Sequence, residues 1–291
     1  MRFALAFLSL AACSTYTNHR AALVPHATPV AFDGQPMENN GQISIGADNL
    51  FDLARPTAGD PTQGDQVPAQ QFRGMAALRV SNIVSISGIV EHASAGNSTV
   101  LKSDAPRIIE SMLDGIGLAL RFSIPTQNPA FRIGLAIEGV VWNVPWVEFS
   151  TCDASCVTVT TDQADLVPTL GVALIPSYRV GRVTLFGGAT IRNQPTITQE
   201  TITYGSPDSE GPNSGSWAFT FHAGVGVELG HGVRANTVLH DTVGGPVAYG
   251  PSVAFELAIP LGDRAQPAAP AHTASSPAAL KPPTSPPDRW P

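Results

Sequence analysis

The sequence predicts an all-β fold, a single antiparallel up-and-down barrel of about ten strands, with eight or twelve the alternatives and a short helix in one long connection. Three observations carry this. Short stretches alternate large apolar residues with small or polar ones, as in Trp217–Leu229, where Trp217, Phe219, Phe221, Val225, Val227 and Leu229 share one parity and His222, Gly224, Gly226 and Glu228 the other. A period of two belongs to a strand with one oily face. The connections between stretches alternate short and long. Only two lysines occur, Lys102 and Lys281, neither in a strand-like stretch, whereas soluble sheets place lysine on their wet faces and edges.

Ten strands are expected: Gln42–Asp48, Phe72–Val80, Ile83–His92, Gly115–Ile124, Phe131–Val141, Val167–Ser177, Val183–Arg192, Trp217–Leu229, Val233–His240 and Ser252–Leu261. Most approach the 9–11 residues that a tilted membrane strand needs. Asn49–Gln71, Ala93–Asp114, Trp142–Leu166, Asn193–Ser216 and Asp241–Pro251 are the longer connections. Ser81-Asn82, Pro125–Ala130, Tyr178–Arg182 and Gly230–Gly232 are the short ones. Outer-membrane barrels show this rhythm, with short turns on the periplasmic side. Phe72, Trp142, Trp146, Phe149, Trp217 and Tyr249 fall near the long-loop ends, and Phe122, Phe131, Tyr178 and Phe255 near the short-turn ends, as two aromatic girdles would. Pro168 and Pro176 are expected near strand ends, since proline removes a ladder donor. Within Ala93–Asp114, Ser103 or Asp104 could cap a helix with Pro106 in its first turn and Ile108, Ile109, Met112 and Leu113 as an apolar stripe.

The N terminus bears on compartment. Arg2 precedes a short apolar run, Phe3–Leu10, too short to span a bilayer as a helix. Leu10-Ala11-Ala12-Cys13 resembles the bacterial lipobox. The resemblance implies that residues 1–12 are a signal peptide and Cys13 an acylated N terminus. Ser14 at the next position implies sorting to the outer membrane. An ordinary secretory signal cut near Ala21-Ala22 is the alternative. Residues 13–40 then read as a tether, 41–262 as the barrel, and 263–291, rich in alanine and proline, as a disordered tail. Both termini are expected on the periplasmic side. Tyr249–Phe255 partly resembles the C-terminal assembly signal of outer-membrane proteins, although the chain continues beyond it. Of three cysteines, Cys152 and Cys156 remain to form a disulfide that pins a loop in an oxidising compartment.

Charge and motifs narrow the function. A net charge of −7 gives no basic face for nucleic acid. Parity sends Arg121, Arg132, Glu138, His222, Glu228, Arg234 and Glu256 into the lumen, together with Arg192. Counting from a turn at His231 places Glu228 opposite Arg234 as an ion pair and His222 opposite His240, and places Arg121 opposite Arg132. Lipid A deacylase-like barrels carry His-x-Ser on a strand. Here Phe221-His222-Ala223-Gly224 has glycine where the nucleophile belongs. His240-Asp241 offers no omptin-like acidic pair, because adjacent strand residues face opposite ways. No catalytic residue, cofactor or metal cluster is expected. The reading is a monomeric, lipid-anchored, non-enzymatic outer-membrane barrel with a filled lumen. It would meet membrane lipid along its wall and an envelope or surface partner through its loops or tail. A narrow solute channel and a soluble periplasmic domain held only by lipid are the alternatives.

Overall fold

The computed structural model describes residues 16–29, 33–49, 51, 56–58, 66–100, 108, 111–152, 160–196, 201–202, 212–245 and 247–264. Ten antiparallel strands close into a barrel: β1 Asn39–Asp48, β2 Gln71–Arg79, β3 Val84–Ser94, β4 Met112–Pro125, β5 Phe131–Cys152, β6 Thr160–Val180, β7 Val183–Thr196, β8 Asn213–Gly230, β9 Val233–Gly244 and β10 Val247–Arg264. Each pairs with its sequence neighbours, and β10 closes on β1 with Leu257 opposite Ile45. Closure leaves the wall no free edge, which is what a sheet needs to survive where water cannot satisfy its backbone.

Parity behaves as the alternation requires. Ile45, Ile116, Leu118, Leu185, Phe221 and Leu239 stand outward and exposed, while Ser44, Gly115, Ala119, Thr184, His222 and Val238 face in. The turn Gly230-His231-Gly232 is possible because all three residues take positive φ, 124°, 51° and 80°. It sets Glu228 against Arg234 and His222 against His240.

Several expectations change. β5 and β6 run for 22 and 21 residues, so most of the connection expected at Trp142–Leu166 is strand. Their surplus of about ten residues extends the hairpin roughly 33 Å past a membrane-length strand. Trp142 and Trp146 are not girdle residues. Both are fully buried, their indole N–H groups donating to Thr169 Oγ1 (3.0 Å) and Asp165 Oδ2 (2.8 Å). With Leu113, Val140, Val144 and Val167 they form an apolar core at the long-loop end. Phe72 and Trp217, and Tyr178 and Phe255 at the other end, do face outward.

Met112 and Leu113, expected in a helix, open β4 instead. Alternating exposed and buried positions, not a helical stripe, explain their spacing. The described helical residues nearby are a single 3₁₀ turn, Ala95–Asn97. Ser103, Asp104, Pro106 and Ile109 lie outside the described residues. Pro168 and Pro176 sit inside β6, not at its ends. Pairing of β6 with β7 begins at Gly171, beyond Pro168, and skips the step between Leu174 and Ser177 that contains Pro176. The prolines thus occupy positions where β6 has no donor to give to β7, while pairing with β5 is continuous.

The largest correction concerns residues 13–40. Far from a tether outside the fold, Tyr16–Ala22 is a strand laid along the extended end of β5, Tyr16 opposite Cys152 and Ala22 opposite Trp146. From Leu23 the chain enters the barrel, and Ala21–Pro29 and Asp33–Gln35 are buried. It emerges at Asn39 to start β1 at the short-turn end, where Asn39 pairs with Arg264. The two ends of the described chain therefore lie at opposite ends of the barrel, not together. Cys13, Cys156 and most of the tail fall outside the described residues.

Candidate functional site

The site is the lumen and the segment threaded through it. Backbone carbonyls of an extended chain cannot bond to one another, so each needs a partner from the wall. The wall supplies them in descending order. At the top, Leu23 N–H donates to Pro145 O (2.9 Å) and Val24 N–H to Gln66 O (2.8 Å). Below, Gln194 Nε2 donates to Pro25 O (3.1 Å), Thr220 Oγ1 to Ala27 O (2.7 Å) and Arg73 Nη1 to Pro29 O (3.1 Å). Near the bottom, Arg121 Nη2 donates to Asp33 O (2.7 Å) and Ser123 Oγ to Gly34 O (2.8 Å), while Gly34 N–H donates to Ser177 Oγ (2.6 Å).

Four charged groupings fix the segment and brace the wall. His26 is held between Asp48 Oδ2 (3.3 Å) and Pro68 O (2.5 Å). Asp48 also accepts from His240 Nε2 (2.7 Å) and Ser252 Oγ (2.9 Å). At mid-height Glu138 bonds both Arg73 and Arg192, and Arg73 Nε lies 3.1 Å from Glu91 Oε1. This rib joins β2, β3, β5 and β7. Lower down, Asp33 of the segment pairs with Arg234 (2.8 Å) and approaches Arg121 (3.5 Å). At the exit Arg179 bridges Glu38 and Glu228, the latter at 2.8 Å.

The sequence-derived residues fare unevenly. Glu138, His222, Arg234 and Glu256 face inward as parity requires, Glu256 accepting from Asn236 Nδ2 (2.7 Å). Glu228 and Arg234 oppose each other in register, yet their ion pairs go to Arg179 and Asp33, because the threaded segment offers Arg234 a better-placed carboxylate. Arg121 and Arg132 do not oppose each other: Arg121 lies across from Ala136 and Arg132 from Pro125. Arg132 is half-buried, one step from the barrel's short-turn edge. Arg73 and Glu91 carried the same inward parity in their stretches but were not singled out. Neither were His26, Asp33 and Glu38, which sit in the stretch assigned to the tether. Of the cysteine pair, Cys152 ends β5.

A cavity of about 50 Å³ lies at the short-turn end, bordered by Asp33–Asn39, Arg121, Arg234 and Glu256. That is room for a few water molecules. No three His, Cys, Asp or Glu side chains among the described residues are arranged as a metal centre.

No protein-family profile matches the sequence, and no curated protein matches it. Solved structures that resemble it include the β domain of the Bordetella autotransporter BrkA, at 10% identity and TM-score 0.40, covering 77% of this chain and 100% of that one. An outer membrane channel from Pseudomonas putida F1 matches at 8% identity and TM-score 0.41, covering 80% and 99%. The outer membrane protease OmpT from Escherichia coli matches at 7% and 0.31, covering 85% and 95%. Likeness this distant says nothing about what the present barrel does.

Proposed function

We propose that this is a non-enzymatic outer-membrane barrel that works with its lumen closed by its own N-terminal segment, serving the envelope structurally or meeting surface partners through its long-loop end. The observation that carries the reading is the run of wall-to-segment bonds from Pro25 to Glu38, with a cavity of about 50 Å³ bordering the segment at the short-turn end. The apolar outward face supports placement in a bilayer. The lipobox resemblance supports acylation of Cys13. That residue lies three positions before Tyr16, which pairs with Cys152 at the far end of the extended β5. Cys152 and Cys156 are proposed to close as a disulfide beside the same strand end.

Planar-bilayer recording tests the closed lumen. The full chain should show no discrete openings, and a mature form beginning at Glu38 should conduct in steps. Steady openings of the full chain would instead favour the channel reading, which the charged inner wall of Arg73, Arg192, Glu91 and Glu138 also suits. A Cys13→Ala form with a cleavable signal tests the membrane span. It should remain in the detergent-extracted membrane fraction, and a folded, water-soluble product would overturn the bilayer placement.

A further inference from the structure

We propose that the outer wall over β2–β6 holds one two-chain phospholipid with an ammonium-bearing headgroup, its chains lying either side of β4 and its headgroup on Asp114. The lipid's place presupposes the bilayer setting proposed above. Along two neighbouring rows of cross-strand partners, outward positions alternate between large side chains and almost none. One row runs Gly74, Val90, Ile116, Val141 and Pro168, and the next Ala76, Gly88, Leu118 and Gly139. Other outward positions carry residues such as Leu185, Phe221, Leu239 and Phe255. The result is a depression of about 1010 Å³ in the wall, at the upper end of the range of roughly 300–1,000 Å³ for small-molecule pockets.

Glycine forms the floor of the depression, and β4 forms a ridge along its middle. A Cβ on Gly88 would meet nothing within 4 Å, and one on Gly139 only Thr169 O at 3.9 Å, so open space lies over both. Leu118, whose cross-strand partners are these two glycines, is 63% exposed, and Ile116 beside it on β4 is 66% exposed. This ridge divides the depression into two lanes, with Gly74, Ala76 and Gly88 on one side and Gly139 and Pro168 on the other. Two acyl chains joined at one headgroup fill both lanes. In apolar surroundings no exclusion from water separates one tail from another, and packing decides which is held. A chain in a lane meets protein atoms at its floor and along its flanks, whereas a chain on an even wall meets them on one side only.

Toward the long-loop end the same outward face turns polar just past the ridge. Asp114 is two residues from Ile116 on β4, and its cross-strand partners are His92 and Asn143. All three are exposed, and Asp114 Oδ1 lies 2.7 Å from His92 Nδ1. A carboxylate only accepts hydrogen bonds. Asp114 Oδ2 is therefore placed to accept from an ammonium, and Asn143 Nδ2 to donate to the phosphate next to it. An exposed carboxylate repels a headgroup whose only charge is negative, which selects a zwitterionic lipid over an anionic one. A second copy of the chain fits less well, because a two-fold interface sets the same patch against itself and two facing depressions enclose a void.

The test is native mass spectrometry of the full chain, folded in detergent and offered phosphatidylethanolamine and phosphatidylglycerol with identical chains. One phosphatidylethanolamine should stay bound per barrel, and phosphatidylglycerol should not. Filling the lanes with Gly88→Leu and Gly139→Leu, where open space receives the new side chains, should abolish retention. Asp114→Asn should remove the preference between the two lipids while the lanes stay occupied. Leu185→Ala, on β7 outside the depression, should change nothing. Flotation of the same proteins with vesicles of the two lipids separates this proposal from the bilayer placement. A wild-type barrel that floats but retains no lipid, retains both lipids equally, or retains phosphatidylethanolamine after both lanes are filled overturns the lipid site and leaves the bilayer placement standing. A protein dimer that is lost with Gly88→Leu assigns the depression to a second copy and overturns the lipid site as well. A folded chain that does not float overturns both.

Discussion

Replacing Glu138 by glutamine keeps the shape of the mid-lumen rib and removes one charge. In the native barrel two carboxylates, Glu91 and Glu138, face two guanidiniums, Arg73 and Arg192, all buried. After the change the cluster carries an uncompensated positive charge. The burden falls unequally. Arg73 keeps Glu91 and the Pro29 carbonyl. Arg192 loses the carboxylate it bonds, and among the described residues its Nε and Nη1 have no hydrogen-bond partner to fall back on. Breaking a buried pair by removing one partner costs about 3–5 kcal/mol. Because one of the two arginines stays satisfied, the lower end applies, about 3 kcal/mol. Urea unfolding in lipid vesicles, followed by tryptophan fluorescence and by the heat-dependent gel shift, measures the loss. Replacing both Glu138 and Arg192 by leucine should recover most of it, since a buried ion pair exchanged for apolar packing is often neutral. If Glu138→Gln lies within about 0.5 kcal/mol of wild type, the scale of an ordinary surface substitution, the rib does not brace the wall and the reasoning fails.

Three further outcomes can be measured. Gly34→Ala should loosen the threaded segment, because a Cβ there would lie 2.3 Å from Ile175 O and 2.6 Å from Gly134 N, both backbone atoms that cannot swing aside. Residues 24–37 should become sensitive to added protease while the barrel keeps its gel shift, whereas Gly88→Ala, with nothing within 4 Å, should change neither. In single-tryptophan variants, brominated lipid should quench Trp217, which is 47% exposed on the outer face, and spare Trp142 and Trp146. Equal quenching of all three would contradict the assignment of the two buried indoles to an inner core. Thr220→Val should weaken retention of the segment by about 0.5–1.5 kcal/mol, the worth of one hydrogen bond, read as a shift in the protease-sensitivity midpoint.

What the sequence made legible was the wall. Trp217–Leu229 displays its two parities so cleanly that strand, facing and the His222–His240 register follow from counting. What it hid was anything dependent on a partner element. Trp142 and Trp146 look like girdle residues until β5 is seen to run for 22 residues with both indoles buried among Leu113, Val140, Val144 and Val167. His26, Asp33 and Glu38 sit in a stretch with no period at all, because a chain bonded on every side by a surrounding wall has no single buried face to imprint a period. Proline and glycine there signal irregular backbone equally well for a free tether and for an enclosed thread. Arg73 and Glu91 were readable by parity, but their stretches are masked by inward Met75 and Ile89, which blur the alternation.

The small inward residues acquire a meaning that parity alone does not supply. An eight-stranded barrel is just filled by its own side chains, and a wider one leaves space at its axis. Ten strands here carry Gly117, Ala119, Gly134, Ala136, Ala173, Ala218, Ala254 and Ala258 on the inner face, most of them buried to within a few per cent. Such a wall cannot close its own lumen. It leaves a passage about as wide as one extended chain, and Gly34 against Gly134, with a would-be Cβ on Gly134 only 2.5 Å from Gly34 Cα, shows how closely that passage is matched. Small residues set the passage's width, and the arginines and carboxylates between them set which chain can lie in it. A segment with carbonyls exposed and with Asp33 and Glu38 at its lower end meets Arg73, Arg121, Arg234 and Arg179 in turn. Width and charge are therefore one design in two alphabets, and the N-terminal segment is as much a part of the barrel's core as any strand.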